Sequence, residues 1–196
     1  MSTADDSGDW VGSTRRSAAR DRILTTAGEV FASRGADASM SDIAEAVGCS
    51  RATLYRYFDS RTNLQLAYIA AVTRSVSATV RARTDHLTDP AVRLTESVVL
   101  ALTAVREDPA LSAWFAPRGA GLTSELALSS DTIETVARRF LSADSESAAV
   151  GARWLIRMIV SFLVVPAGPD SEREMIHLFV TPPLLASVGM DDRTTG

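Results

Sequence analysis

The sequence predicts an all-α protein of about nine helices, with a helix-turn-helix near its N-terminus and a longer helical body behind it. Three observations predict this. Apolar residues recur at helical spacing in one segment after another, and no segment alternates like a strand. Residues that start helices (Ser39, Ser50, Ser60, Asp131 and Ser171) stand just ahead of those segments. Between Ser39 and Arg61 two short helical segments meet at a tight turn around Gly48. The 196 residues, 46% hydrophobic and 22% charged, suffice for one large or two small globular domains.

Residues 1–13 are small and polar apart from Trp10 and Val11, and read as a disordered arm. Arg15, Arg16, Arg20 and Arg22 follow at the start of the first helix. They either contact phosphates or form a solvated helix end, and both readings stand at this point. Ile23, Leu24, Ala27, Val30, Phe31 and Ala32 then keep a helical period until Gly35 ends it. Ser39 caps the next helix, with Asp42 placed to reach back to it. Ile43 and Val47 share one face, Ala44 leaves room for a second helix, and Gly48 can take the positive φ of a sharp turn. Cys49 reads as a small apolar plug rather than a redox switch, because Arg51 alone among its neighbours would lower its pKa. Ser50 caps the following helix, in which Leu54 faces inward while Arg51, Thr53, Tyr55, Arg56 and Tyr57 stay outside.

Ser60 opens a long helix over 61–83, with Leu64, Leu66, Ala67, Ile69, Ala70 and Val72 as apolar positions. A break at Thr88–Pro90 precedes a helix over 91–105, which Glu107-Asp108-Pro109 ends. The short aromatic helix ALSAWFA comes next, and Pro117, Gly119, Ala120 and Gly121 then loosen the chain. A helix over 131–141 starts with a capping box of Asp131 and Glu134. A final helix over 171–180 starts at Ser171 with Glu174, Pro182-Pro183 stops it, and the tail from Asp191 frays.

The helix over 147–165 is unusual. Arg153, Arg157 and Ser161 form one narrow polar stripe, and nearly everything else is apolar. One small core cannot cover such a helix on every side, so a second copy of the chain is expected against it. The predicted homodimer interface uses 147–165 and 171–181, two helices from each subunit. A membrane span is the rival reading. It is set aside because the unbroken apolar run before Pro166 is short and two arginines lie inside the helix.

Net charge is −4 and unevenly spread. Residues 1–12 carry three acids and no base, residues 13–61 eight Arg against six acids, and residues 62–196 twelve Arg against fifteen acids. The mildly basic segment coincides with the helix-turn-helix. All 20 basic residues are Arg, so lysine Schiff-base chemistry is excluded. One cysteine excludes an internal disulfide and any multi-cysteine metal site. His86 and His177 are far apart in sequence, and no phosphate-binding glycine pattern occurs. No enzyme, cofactor or metal is expected. With no apolar run after the early charges, no signal peptide is read and the expected location is cytoplasmic.

The second helix of a helix-turn-helix lies in the major groove with its first residues at base edges. An ordinary αα-hairpin would account for Ala44 and Gly48 but not for an exposed face of Arg, Thr, Arg and two tyrosines without a glutamate. Arg51 and Thr53 fall in the first turn, where Arg51 can pair with guanine.

The run from Ile23 through Leu66, and above all TLYRYF-x-S-R at Thr53–Arg61 followed by Leu64, resembles the TetR family of one-component transcriptional repressors. The likeness is close over the first third and otherwise extends to length and helical layout. It implies a three-helix DNA-binding head over 14–60 and a C-terminal helical ligand-binding and dimerisation domain over 61–190, joined by the helix over 61–83. It also implies double-stranded operator DNA as partner. Ser39, Ser41, Tyr55, Tyr57 and Arg61 match positions that reach phosphates, and Ser50 and Ala52 complete a DNA-binding set with Arg51 and Thr53. A small-molecule effector would sit in a largely apolar pocket drawn from Val72, Leu100, Trp114, Phe115, Trp154 and Met158, and would release the operator. The rivals are a helical carrier or enzyme with a vestigial helix-turn-helix, and an activator without a ligand. Salt-sensitive binding to a palindrome separates the first of these from a regulator.

Overall fold

The computed structural model describes residues 7–115, 120–141 and 146–191, with side chains except at 7–13, 120, 122 and 188–191. The described residues form helices joined by short turns, with no strand among them. α1 (Ser7–Arg34) passes through a 3-10 turn (Gly35–Asp37) into α2 (Met40–Val47) and α3 (Arg51–Tyr57). α4 (Arg61–Thr84) and α5 (Pro90–Glu107) are the long helices of the body, followed by α6 (Pro109–Phe115), α7 (Ala120–Leu128) and α8 (Asp131–Leu141). α9 (Glu146–Val164) precedes α10 (Pro169–Met175), a π-helical turn (Ile176–Val180) and α11 (Thr181–Asp191).

Side-chain caps set most of the boundaries. Ser39 and Asp42 form a reciprocal capping box on α2, Ser50 accepts from the Thr53 amide on α3, and Ser60 accepts from the Asn63 amide on α4. Gly48 ends α2 at φ 75°, the left-handed conformation expected of it. Asp89 caps α5, whose first residue Pro90 has no amide to satisfy.

Four expectations are corrected. α1 already runs from Ser7, so the arm expected over 1–13 is helical in its second half, while 1–6 lie outside the described residues. The loosened stretch after Pro117 yields another helix, α7, from Ala120; 116–119 are outside the described residues. α8 is capped not by Asp131 but by Ser130, whose Oγ accepts from the Ile133 amide at 3.4 Å. Pro182-Pro183 do not stop the last helix. The chain widens into the π-helical turn, where the Thr181 amide donates to Ile176 five residues back. The extra residue makes room for rings that would strike the carbonyls four residues earlier, and both prolines then sit in the first turn of α11. The tail expected to fray falls, beyond Asp191, outside the described residues.

Two core clusters form. The first joins Ile23, Leu24, Ala27 and Phe31 of α1 to Ile43 and Ala44 of α2, Leu54 of α3, and Leu64 and Tyr68 of α4. It continues into the body through Ala110, Leu111 and Trp114 of α6, which packs along α1. The head therefore shares its core with the body instead of hanging from α4 alone. At the junction the Phe31 ring meets Trp114 edge-on at 4.7 Å and Tyr68 at 5.6 Å. The Tyr68 hydroxyl donates to Asp108 at 3.2 Å, and the same carboxylate accepts from the Leu111 amide, capping α6. Burial, then the Asp108 charge, push the Tyr68 phenol far above its ordinary range, so it is a neutral donor. The second cluster centres on Leu94, Val98 and Leu102 of α5, Leu155 and Ile156 of α9, and Ile176, Val180 and Leu184 near the C-terminus.

By length and composition α9 is long and apolar enough to cross a membrane, so shortness is not the reason to reject a span. Its packing gives a better one: Ala148, Gly151, Ala152, Leu155, Ile156 and Val160 are buried in the body.

Candidate nucleic-acid interface and effector cavity

The capping that builds α2 and α3 also presents their outer surface. Leu54 is fully buried, which fixes the rotation of α3 and leaves Arg51, Ala52, Tyr55 and Arg56 exposed. Thr53 is half-buried, and its hydroxyl lies 2.9 Å from Ser50 Oγ. Ser39 Oγ donates to Asp42 at 2.7 Å. Those hydrogen bonds from Ser39, together with the paired Arg34, hold the Asp42 carboxyl below the usual carboxylate range. Ser50 and Ser39 therefore cap first, and any phosphate contact is additional. Ser41 is exposed beside Ser39. Arg61 is half-buried, and its guanidinium donates to the Asp37 carbonyl at 3.4 Å, which ties the start of α4 to the turn before α2.

Arginines outside the expected DNA-binding set lie against it. The Arg16 guanidinium of α1 lies 5.9 Å from the Tyr57 ring and that of Arg56 lies 6.0 Å from it. With Arg15 they surround one surface depression. Arg20 lies over Phe58 at 4.9 Å. The first half of α1 thus brings arginines to the back of the recognition helix. The cluster of Arg15, Arg16, Arg20 and Arg22 was the available signal, but only the helix starting at Ser7 gives them a fixed position.

Inside the body lies a cavity of about 140 Å³. Its wall comes from α4 (Ile69, Val72, Val76, Val80), α5 (Leu94, Val98, Ala101), α6 (Leu111, Phe115), α8 (Ile133, Phe140) and α9 (Leu155, Ile159, Leu163). Among the described residues no charged side chain lines it. Of the six residues expected here, Val72 and Phe115 line it and Leu100, Trp114, Trp154 and Met158 do not. Helix phase is the reason. On α6, Leu111 and Phe115 reach the cavity, while Trp114 is fully buried in the head core. On α5, Leu94, Val98, Ala101 and Val105 keep the period and Leu100 falls off it. On α9, Trp154 and Met158 adjoin the exposed stripe of Val150, Arg153, Arg157 and Ser161. Extending the period of α4 beyond Val72 to Val76 and Val80 would have found the missing wall.

The bacterial regulatory protein family tetR is matched by residues 23–68, which span the end of α1 through the first turns of α4. Helix-turn-helix-type transcriptional regulators from two strains of Mycobacterium tuberculosis are 40% identical over 180 residues, covering 89% of this chain and 89% of theirs. Among solved structures, RolR in complex with resorcinol superposes with a TM-score of 0.65 at 21% identity, over 92% of this chain and 96% of that one. The repressor AlkX from Dietzia sp. gives a TM-score of 0.59 at 22% identity, over 86% of this chain and 96% of that one. The two-helix motif with its buried Leu54, the all-helical body behind it and this relationship over nearly the whole length lead to one conclusion: the chain belongs to the TetR family of helix-turn-helix transcriptional regulators.

Proposed function

We propose that this regulator is a cytoplasmic homodimeric repressor that leaves a palindromic operator when a small apolar effector fills the cavity. The observation that carries the proposal is the path of α4. It starts four residues after the recognition helix ends and runs along the cavity wall from Ile69 to Val80. A ligand that shifts α4 or α6 acts on the helices that hold the head. The effect is a population shift between a DNA-competent and a ligand-bound arrangement.

In this reading residues 14–60 act as the DNA-binding unit and 61–190 as the ligand-binding and dimerisation unit. Arg51 and Thr53, with Ser50 and Ala52 around them, meet base edges. Ser39, Ser41, Tyr55, Tyr57 and Arg61 meet phosphates. Dimerisation is supported by apolar side chains that the single chain leaves in water: Val150 (54% exposed) on α9 and Val165 (71%) just after it, and Leu178 (50%) and Phe179 (69%) in the π-helical turn. RolR, a structural neighbour, is known in complex with resorcinol, a small ring compound. The test is a gel-shift titration of the DNA upstream of the protein's own gene, repeated with a panel of small apolar compounds. A salt-sensitive specific complex that one compound dissolves is expected. If no compound changes the affinity, the effector part of the reading fails.

A further inference from the structure

The cavity wall carries four hydroxyl side chains, Thr73, Ser77, Ser97 and Thr123. Two are already engaged. Ser97 Oγ donates to Thr84 Oγ1 at 3.4 Å, and Thr123 Oγ1 donates to the Trp114 carbonyl at 3.1 Å. Thr73 and Ser77 have no hydrogen-bond partner among the described residues. They are half-buried and stand one turn apart on α4, between Ile69 and Val80 of the same wall. The rest of the described lining is apolar and uncharged.

Three physical consequences follow. A purely apolar occupant would leave both hydroxyls without a partner, which is unfavourable. A carboxylate or an ammonium would meet no opposite charge among the described lining residues and would be disfavoured more strongly. The volume of about 140 Å³ is close to that of apolar cavities elsewhere, about 150 Å³, that hold one benzene ring. Resting on the effector-cavity reading above, we propose that the cavity selects a neutral molecule of about one-ring size bearing a hydroxyl or carbonyl group, which Thr73 and Ser77 hold. Each of these side chains both donates and accepts, so one polar group can engage the pair. Because both lie on α4, the ligand's polar contact falls on the helix that continues from the recognition helix.

Phenol and toluene differ by a hydroxyl in place of a methyl and make a matched pair of probes, with benzoate as the charged counterpart. Calorimetric titration of the full chain should show binding of phenol and toluene but not of benzoate. In the Thr73→Val, Ser77→Ala double variant toluene should bind at least as well as before. The phenol-to-toluene affinity ratio should fall by roughly fivefold or more, as expected for losing up to two hydrogen bonds. Toluene binding by the variant also shows that it is folded, and Ser77→Ala alone should move the ratio in the same direction. An unchanged ratio in the double variant, or a wild-type chain that binds toluene and not phenol, overturns this proposal and leaves the effector cavity standing. If neither probe binds, the effector-cavity reading and this proposal fall together.

Discussion

Arg51 and Arg61 carry the same charge and sit in different surroundings. Arg51 is exposed at the first position of α3 and has no side-chain partner among the described residues, as the proposed base contact needs. Arg61 is half-buried and fixed to the Asp37 carbonyl, a geometry suited to holding a phosphate in register. Arg61→Ala should weaken operator and scrambled DNA alike and flatten the slope of log affinity against log salt by about one, read by fluorescence anisotropy. Gly28 is a second decisive residue. A Cβ there would lie 2.7 Å from Tyr68 Cε2, against the ring that packs on Phe31 and hydrogen-bonds Asp108. Gly28→Ala should lower stability by about 1–3 kcal/mol in urea unfolding, as overpacking does. The caps at Ser39, Ser50 and Ser60 and the turn at Gly48 were legible in the sequence because each acts within three or four residues. The cavity residues were legible only in part. Trp114, Trp154 and Met158 suggest ligand contact by side-chain type, but helix phase decides which way each points.

At the scale of elements, the C-terminal helices show what local rules miss. Pro182-Pro183 are a stop signal by themselves, yet packing of Ile176, Val180 and Leu184 into the body core holds the helix direction across them. α7 was hidden because its start is rich in small residues, while Leu126 and Ala127, which bury it, contact partners distant in sequence. α10 is anchored by Glu172, which is 3% exposed and accepts two hydrogen bonds from Arg106 of α5 at 2.8 Å and one from the Ala167 amide at 3.0 Å. Arg106 also donates to the Phe162 carbonyl of α9 at 2.9 Å, so one guanidinium joins three helices. The Arg106 hydrogen bonds, opposed by desolvation, hold the Glu172 carboxyl below its ordinary 4.5. A lowered folded pKa means that the pair's stabilisation is complete above about 4.5 and is lost as pH falls through the lower folded value. Glu172→Gln should cost about 3 kcal/mol at pH 7, the low end for a broken buried pair because Arg106 keeps a third of its surface in water. The gap between the two proteins in urea midpoint should narrow on going from pH 7 to pH 3.

For the molecule as a whole, head, α6 and cavity form a continuous packed path. Phe31 touches Trp114, and Leu111 and Phe115 of the same short helix line the cavity wall. The helix-turn-helix and the all-helical body were evident from periodicity, whereas this path depends on contacts between residues about 80 apart, which no local pattern encodes. The second whole-molecule feature is the apolar surface of α9 and the π-helical turn. Light scattering at micromolar concentration should give twice the chain mass of 20.9 kDa, and Phe179→Asp should give a monomer with weakened operator binding.

The central claim is that the exposed face of α3 reads a two-fold DNA site. Selection from a random DNA library with the full chain, followed by anisotropy titration of the enriched site and a scrambled control, tests it most directly. An enriched palindrome with half-sites about one helical turn or slightly more apart is expected. Arg51→Ala should lose roughly 1–3 kcal/mol of preference for that palindrome while keeping most of its non-specific binding. Enrichment of no palindrome, or an Arg51→Ala variant with its preference unchanged, would contradict the claim.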